Sequence, residues 1–174
     1  YDCDGLTDFT TDSTGQIGSY AFNSCGYLDT VDLGESVTSI GSYAFQYTSI
    51  TEIVLPDSVG SIGSYAFADC DSLDTVDLGD GVYSIGSYAF MDCTSLTEMV
   101  VPDSVTSIGE DAFAGCYNIA EITLPFVGAS KTSGGTSSGV FGYIFGYGDQ
   151  GSYSSYYIGV TQYYTSGYST YNYI

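Results

Sequence analysis

The hexapeptide Ile-Gly-Ser-Tyr-Ala-Phe occurs four times, at residues 17–22, 40–45, 62–67 and 85–90, and a fifth time as Ile-Gly-Glu-Asp-Ala-Phe at 108–113. The starts lie 23, 22, 23 and 23 residues apart. Apolar residues that return in phase at this period are the signature of a solenoid, in which one short coil stacks on the next. The chain is therefore read as a repeat solenoid of about five coils of 22–23 residues.

Aligned on the repeat Phe, each coil runs from the corner Ala-Phe to a Cys three residues on and a Leu or Ile three further. An alternating stretch such as TVDLG or TEIVLP follows, then SV and IG. In the first full turn the inward positions are Phe22, Cys25, Leu28, Val31, Leu33, Val37 and Ile40. Val31 and Leu33, two apart and flanked by polar residues, predict a half-buried strand. The SVTSI stretch predicts a second short strand on the opposite side. Gly18, Gly41, Gly63, Gly86 and Gly109 follow the last Ile of each coil, where a bend with a positive backbone angle favours glycine. SYAF and EDAF are expected to form a single helical turn at that corner, so the fold is β-rich with short helical turns at its corners.

Cys25, Cys70, Cys93 and Cys116 all stand three residues after the repeat Phe, and Thr48 takes that place in the shortened second coil. They fit as a column of small buried side chains. Stacked neighbours about 5 Å apart also leave open a bridge such as Cys70 to Cys93 or Cys93 to Cys116. No C-x-x-C pair and no second ligand type accompanies these thiols, which argues against a metal site. Cys3, Leu6 and Phe9 each precede Cys25, Leu28 and Val31 by 22 residues. Residues 1–16 thus read as a partial first coil without its Phe or a polar cap, and the expectation is that further repeats or another copy of the protein covers this end.

The segment LTEIVLPDSVGSIGSYAFADCDSL resembles the leucine-rich repeat of the BspA-like, or Treponema-type, proteins, and the match extends over residues 1 to about 125. The resemblance implies a right-handed leucine-rich-repeat solenoid with strands on both faces. It also implies an extracellular or cell-surface location, adhesion to host, matrix or cell-surface proteins, and no catalysis. The family has no fixed binding motif to carry over residue by residue.

Charge narrows the choice of partner. The chain has 21 Asp and Glu, one Lys, and neither Arg nor His, a formal net charge of -20. All but one of the acids precede residue 126, and Lys131 and Asp149 cancel in the remainder. A surface without basic groups does not neutralise phosphates, which disfavours nucleic acid and anionic membranes. No apolar run approaches the roughly 18 residues of a membrane span, so membrane insertion is not expected.

The outward strand positions form three columns: Asp29, Thr51, Asp74, Thr97, Ala120; Thr30, Glu52, Thr75, Glu98, Glu121; and Asp32, Val54, Asp77, Val100, Thr123. Asp29, Asp32, Glu52, Asp74, Asp77, Glu98 and Glu121 make up the expected binding face. Acids alternate with neutral groups in the first and third columns, which spaces like charges roughly 10 Å apart. Glu35, Asp57, Asp80 and Asp103 form a further ladder, read either as turn residues bonding their own backbone or as weak oxygen ligands for Ca2+. Tyr20, Tyr43, Tyr65 and Tyr88 form a corner column, a packing feature or a contact with a partner. Without His or Arg neither a Ser/His/Asp nor a Cys/His arrangement can be assembled, so no catalytic residue and no cofactor beyond weak Ca2+ is expected.

From residue 126 to 174 the period fails. This stretch holds ten of the 19 Tyr and ten of the 23 Gly. It is read as an ordered aromatic and Gly/Ser-rich insertion or capping segment, separate from the solenoid of 1–125. Two functions follow as expectations: a non-catalytic surface module that binds protein through its acidic strand face, or a structural subunit that assembles head to tail into a filament.

Overall fold

The structure is a computed structural model that describes Cys3, residues 5–125, Ile144 and Phe145, together with the backbone of 163–166 and 169–171. It is a parallel β-solenoid with strands on two sides. One side carries β1 (Asp8–Thr10), β3 (Thr30–Asp32), β5 (Glu52–Val54), β7 (Thr75–Asp77), β9 (Glu98–Val100) and β11 (Glu121–Leu124). The other carries β2 (Gly15–Ile17), β4 (Val37–Ile40), β6 (Ser61–Ile62), β8 (Ser84–Ile85) and β10 (Ser107–Ile108), which pair in one continuous five-stranded sheet. The register aligns Ile17, Ile40, Ile62, Ile85 and Ile108, so the repeat Ile forms one column facing inward.

The first side is not continuous. β1 pairs with β3, β5 with β7 and β9 with β11, but no ladder joins β3 to β5 or β7 to β9. Each interruption follows a TVDLG strand. There the third-column Asp turns back on its own chain: Asp32 Oδ1 accepts the Gly34 N–H at 2.9 Å and Asp77 Oδ1 the Gly79 N–H at 3.0 Å. Gly34 and Gly79 have φ of 56° and 60°, the left-handed turn that such an Asp-x-Gly sequence favours. In these two strands the inward Val31 and Val76 are only half buried, whereas Ile53, Met99 and Ile122 of the other strands are buried.

The corners depart from the expected helical turn. Tyr20, Tyr43, Tyr65 and Tyr88 have φ of 60°, 61°, 58° and 59°, and Asp111 has 55°. Four residues later the left-handed conformation returns at Ser24, Tyr47, Asp69, Asp92 and Gly115. The effect is to alternate the direction of the amides. Ala21, Asn23 and Cys25 donate to the carbonyls of Gly18, Tyr20 and Phe22 three residues back. Tyr20, Phe22 and Ser24 instead donate to Ser42, Ala44 and Gln46 of the next coil, at 3.0, 2.7 and 2.8 Å. A helix would have kept all of these bonds within one coil. Here half of them tie coils together.

The glycine column also needs another reason. None of Gly18, Gly41, Gly63, Gly86 and Gly109 has a positive φ. A Cβ on Gly41 would lie 2.5 Å from the Ser19 backbone N, and one on Gly63 2.5 Å from that of Ser42. At Gly41, Gly63, Gly86 and Gly109 glycine is required because the backbone of the preceding coil approaches closely, whereas a Cβ at Gly18 meets nothing within 4 Å.

Inside, Phe22, Phe45, Phe67, Phe90 and Phe113 stack with ring centroids 5.2, 5.4, 5.2 and 5.6 Å apart. The ladder continues at both ends. Phe9 tilts onto Phe22 at 4.4 Å, and Phe145 meets Phe113 at 6.1 Å. Phe113 donates its N–H to the Ile144 carbonyl at 2.8 Å, the bond that the Ala before each Phe accepts elsewhere. Ile144 is buried in the core. The sequence Tyr143-Ile144-Phe145 is a variant of Tyr-Ala-Phe, a rung of the period that the sequence reading missed. β12 (Tyr163–Ser166) pairs in parallel with β11, and β13 (Ser169–Tyr171) folds back antiparallel on β12. Most of 126–174, including Lys131 and the insertion expected there, lies outside the described residues.

Candidate functional site

The cysteine column divides into two parts. Cys3 and Cys25 form a disulfide with Cα atoms 5.2 Å apart, whereas Cys70, Cys93 and Cys116 are free and buried. The bridge is thus not at either of the pairs singled out from sequence. Each free thiol donates to the carbonyl of a Phe one coil earlier: Cys70 to Phe45 at 3.1 Å, Cys93 to Phe67 at 3.1 Å and Cys116 to Phe90 at 3.0 Å. Burial, outweighing its hydrogen bonds with Thr48, pushes the Cys70 thiol up to about 11. Cys93 is likewise raised, by burial first and then by its neighbouring thiols.

All seven acids of the expected binding face are exposed on the strand side. They are not equivalent. Asp29 and Asp74 each accept the hydroxyl of the following Thr, at 2.9 and 2.8 Å, while Asp32 and Asp77 hold the strand-ending turns. Glu98 and Glu121 stand directly opposite each other across β9 and β11, a like-charge pair without a neutral spacer. Val54 and Val100 of the third column are 51% and 50% exposed, so apolar and acidic groups alternate across this face.

Where pairing is interrupted between β3 and β5 the face opens into a groove of about 350 Å3. Asp29, Asp32, Glu35 and Glu52 rim it, with Val31, Val54 and Pro56 among its lining. The second coil is one residue shorter than the others between its Phe and its Ile, Phe45 to Ile50. The groove was missed from sequence, although the alternation of TVDLG with TEIVLP and the Asp-x-Gly turn marked its edge.

One member of the second acidic ladder bonds across coils. Asp57 Oδ1 accepts the N–H of Asp80, one coil on, at 2.8 Å, so the carboxylate ties neighbouring coils and not its own turn. Glu35, Asp57, Asp80 and Asp103 are exposed, and among the described residues no three His, Cys, Asp or Glu side chains group to hold a metal ion. At the far corner Asn23 donates to Gln46 at 3.0 Å and Gln46 to Asp69 at 3.1 Å. Burial, then the charges of Asp69 and Asp71, raises the Asp92 pKa.

The tyrosine column is fully stacked. Tyr20, Tyr43, Tyr65 and Tyr88 have successive centroid distances of 4.7, 4.8 and 4.6 Å with ring planes within 5 to 11° of parallel. Tyr20 is 60% exposed, the others half buried. The column ends at Asp111; burial first, and then Asp111, raises the Tyr88 pKa.

Two strand sets, an internal Phe ladder and coils of about 23 residues define a leucine-rich-repeat solenoid. The sequence matches the BspA type leucine-rich repeat region over residues 1–120, in six copies, and the chain belongs to that family. Among solved structures it is similar to a leucine-rich-repeat protein of Treponema pallidum, at 32% identity and a TM-score of 0.66, over 69% of this chain and 59% of that one. A leucine-rich-repeat protein of Bacteroides capillosus is 45% identical over 42% of this chain and 53% of its own, with a TM-score of 0.41. A leucine-rich cell surface protein of Faecalibacterium prausnitzii is 22% identical over 86% of this chain and 64% of its own, with a TM-score of 0.44. The chain thus spans 59% of the length of the Treponema relative. No curated protein matches the sequence. Proteins built on this repeat are typically non-catalytic scaffolds that mediate protein–protein contacts. Among the described residues no helix is long and apolar enough to cross a membrane.

Proposed function

We propose that the chain is a non-catalytic binding module, exposed outside the cell or on its surface, whose acidic strand side holds a basic segment of a protein partner. The observation that carries this reading is the β3–β5 groove, rimmed by four carboxylates in a solenoid whose residues 1–125 contain no Lys, Arg or His. Its apolar lining suits the stem of an Arg or Lys side chain and its rim the charged head. The extracellular location is supported by the Cys3–Cys25 disulfide, a bond that persists in oxidising compartments.

The test uses a labelled arginine-rich peptide as probe and two triple variants of equal charge. One carries Asp29→Asn, Asp32→Asn and Glu52→Gln. The other carries Asp69→Asn, Asp71→Asn and Asp92→Asn at the far corner. Asn retains the acceptor that Asp32 supplies to Gly34, so the turn is kept. Binding weakened at least tenfold by the first set and little by the second supports the proposal; equal loss from both reduces it to net charge and overturns it.

Head-to-tail assembly is the second reading, in which another copy would stack on Tyr20 and Phe22 of the first coil. Molar mass across a concentration series tests it: growth into single-file filaments supports assembly, and a constant monomer mass ends it.

A further inference from the structure

The tyrosine column carries chemistry that binding does not use. Phenols are the side chains from which a one-electron oxidant removes an electron and a proton together, and two phenoxyl radicals held side by side couple through their ortho carbons. In most proteins the limiting factor is finding a second tyrosine. Here four rings share one orientation at 4.6 to 4.8 Å, fixed by a backbone that takes the same left-handed conformation at each of them. Tyr27, Tyr47, Tyr83 and Tyr117 are also exposed, yet among the described residues the only tyrosine pairs in ring contact are the three within the column.

We propose that this column is an oxidative cross-linking site, at which a haem peroxidase acting with hydrogen peroxide joins Tyr20 to Tyr43 as dityrosine. Tyr20 and Tyr43 are the pair because their rings lie 4.7 Å apart and 5° from parallel, and the Tyr20 ring is 60% exposed in this chain. Each phenol gives up one electron and one proton. Hydrogen peroxide takes both electrons and both protons and leaves as two waters. The new bond joins one ortho carbon of each ring, and the hydrogens on those carbons move to the phenoxyl oxygens as aromaticity returns. The bond requires one ring of the pair to tilt out of the stack toward its neighbour. The product would tie the first two full coils at the corner, as the Cys3–Cys25 bridge ties the first coil from another side.

The full chain at high dilution is treated with horseradish peroxidase and hydrogen peroxide. The monomer fraction is then isolated, digested at its acidic residues and mapped by mass spectrometry alongside dityrosine fluorescence. The expected product is a peptide pair containing Tyr20 and Tyr43 that is two hydrogens lighter than their sum. Tyr20→Phe, which keeps the stacked ring but removes the phenol, is expected to lower the monomer fluorescence at least threefold, and Tyr27→Phe to leave it unchanged. Monomer without dityrosine overturns the proposal. So do cross-links that map elsewhere with a yield insensitive to Tyr20→Phe.

Discussion

The Cys70 thiol donates to the Phe45 carbonyl of the coil before it at 3.1 Å, and Thr48 donates to the same oxygen at 2.8 Å. One buried acceptor therefore serves two coils. The arrangement holds the thiol protonated, because ionising it would break the bond and place a charge where water does not reach. At neutral pH the folded chain should not react with a thiol reagent, and in denaturant it should titrate three thiols, Cys70, Cys93 and Cys116. Rapid modification of folded protein would contradict this burial.

The Cys3–Cys25 bridge closes a loop of 22 residues. Loop-closure entropy assigns such a bridge about 3 kcal/mol. Cys3→Ser should lower stability toward urea by up to that amount, and hydrogen exchange should show the loss concentrated in β1 and β2, with the amides of β8 and β10 unaffected.

Two glycines of one column should behave oppositely. A Cβ at Gly63 meets the Ser42 backbone, whereas one at Gly18 meets nothing within 4 Å. Gly63→Ala should destabilise by about 3 kcal/mol. Gly18→Ala should be neutral or stabilise by about 0.5 kcal/mol through the unfolded chain. Paired thermal melts of the two variants decide the matter.

Asp92 has its pKa raised by burial and by Asp69 and Asp71. The folded state therefore binds this proton more tightly than the unfolded chain does. The protonated group costs nothing below the unfolded value; as pH rises through the raised folded value, the group opposes folding. Asp92→Asn should accordingly stabilise the protein at neutral pH, with the gain vanishing as pH falls below the ordinary carboxylate range. A gain independent of pH would assign the effect to something other than this ionisation.

Glu98 and Glu121 face each other across paired strands. Glu121→Gln should raise stability by about 0.5 kcal/mol at low salt, and less at high salt. Urea titrations at two ionic strengths measure the difference.

The period made the interior legible. Phe, Ile, Leu and Cys return at fixed phase because each must meet its own kind in the next coil, and any such column can be read before the fold is known. The acidic face was legible for the same reason, since outward positions follow once inward ones are placed. The corner was not. Tyr has no preference for the left-handed region, so nothing in SYAF announced it; Asp111 at the same position of EDAF, and Asp69, Asp92 and Gly115 four residues on, types that tolerate positive φ, offered a hint. The cysteines were legible as a column but not as pairs. Cys3 to Cys25 and Cys70 to Cys93 differ by one residue in separation, and spacing alone does not rank them. Rung six escaped notice because Ile144 replaces Ala and the spacing to Phe113 is longer than one period.

The interrupted strand side and the continuous one together have a mechanical meaning. The sheet of β2, β4, β6, β8 and β10 works as the spine of a book, and the pairs β1–β3, β5–β7 and β9–β11 as three stiff leaves bound to it. The two gutters between leaves are the places where backbone bonds outside a ladder, and the spine behind them, hold the coils together. A partner seated in the β3–β5 gutter, as proposed, would press on the rod at one of the two places where its strand side lacks a ladder.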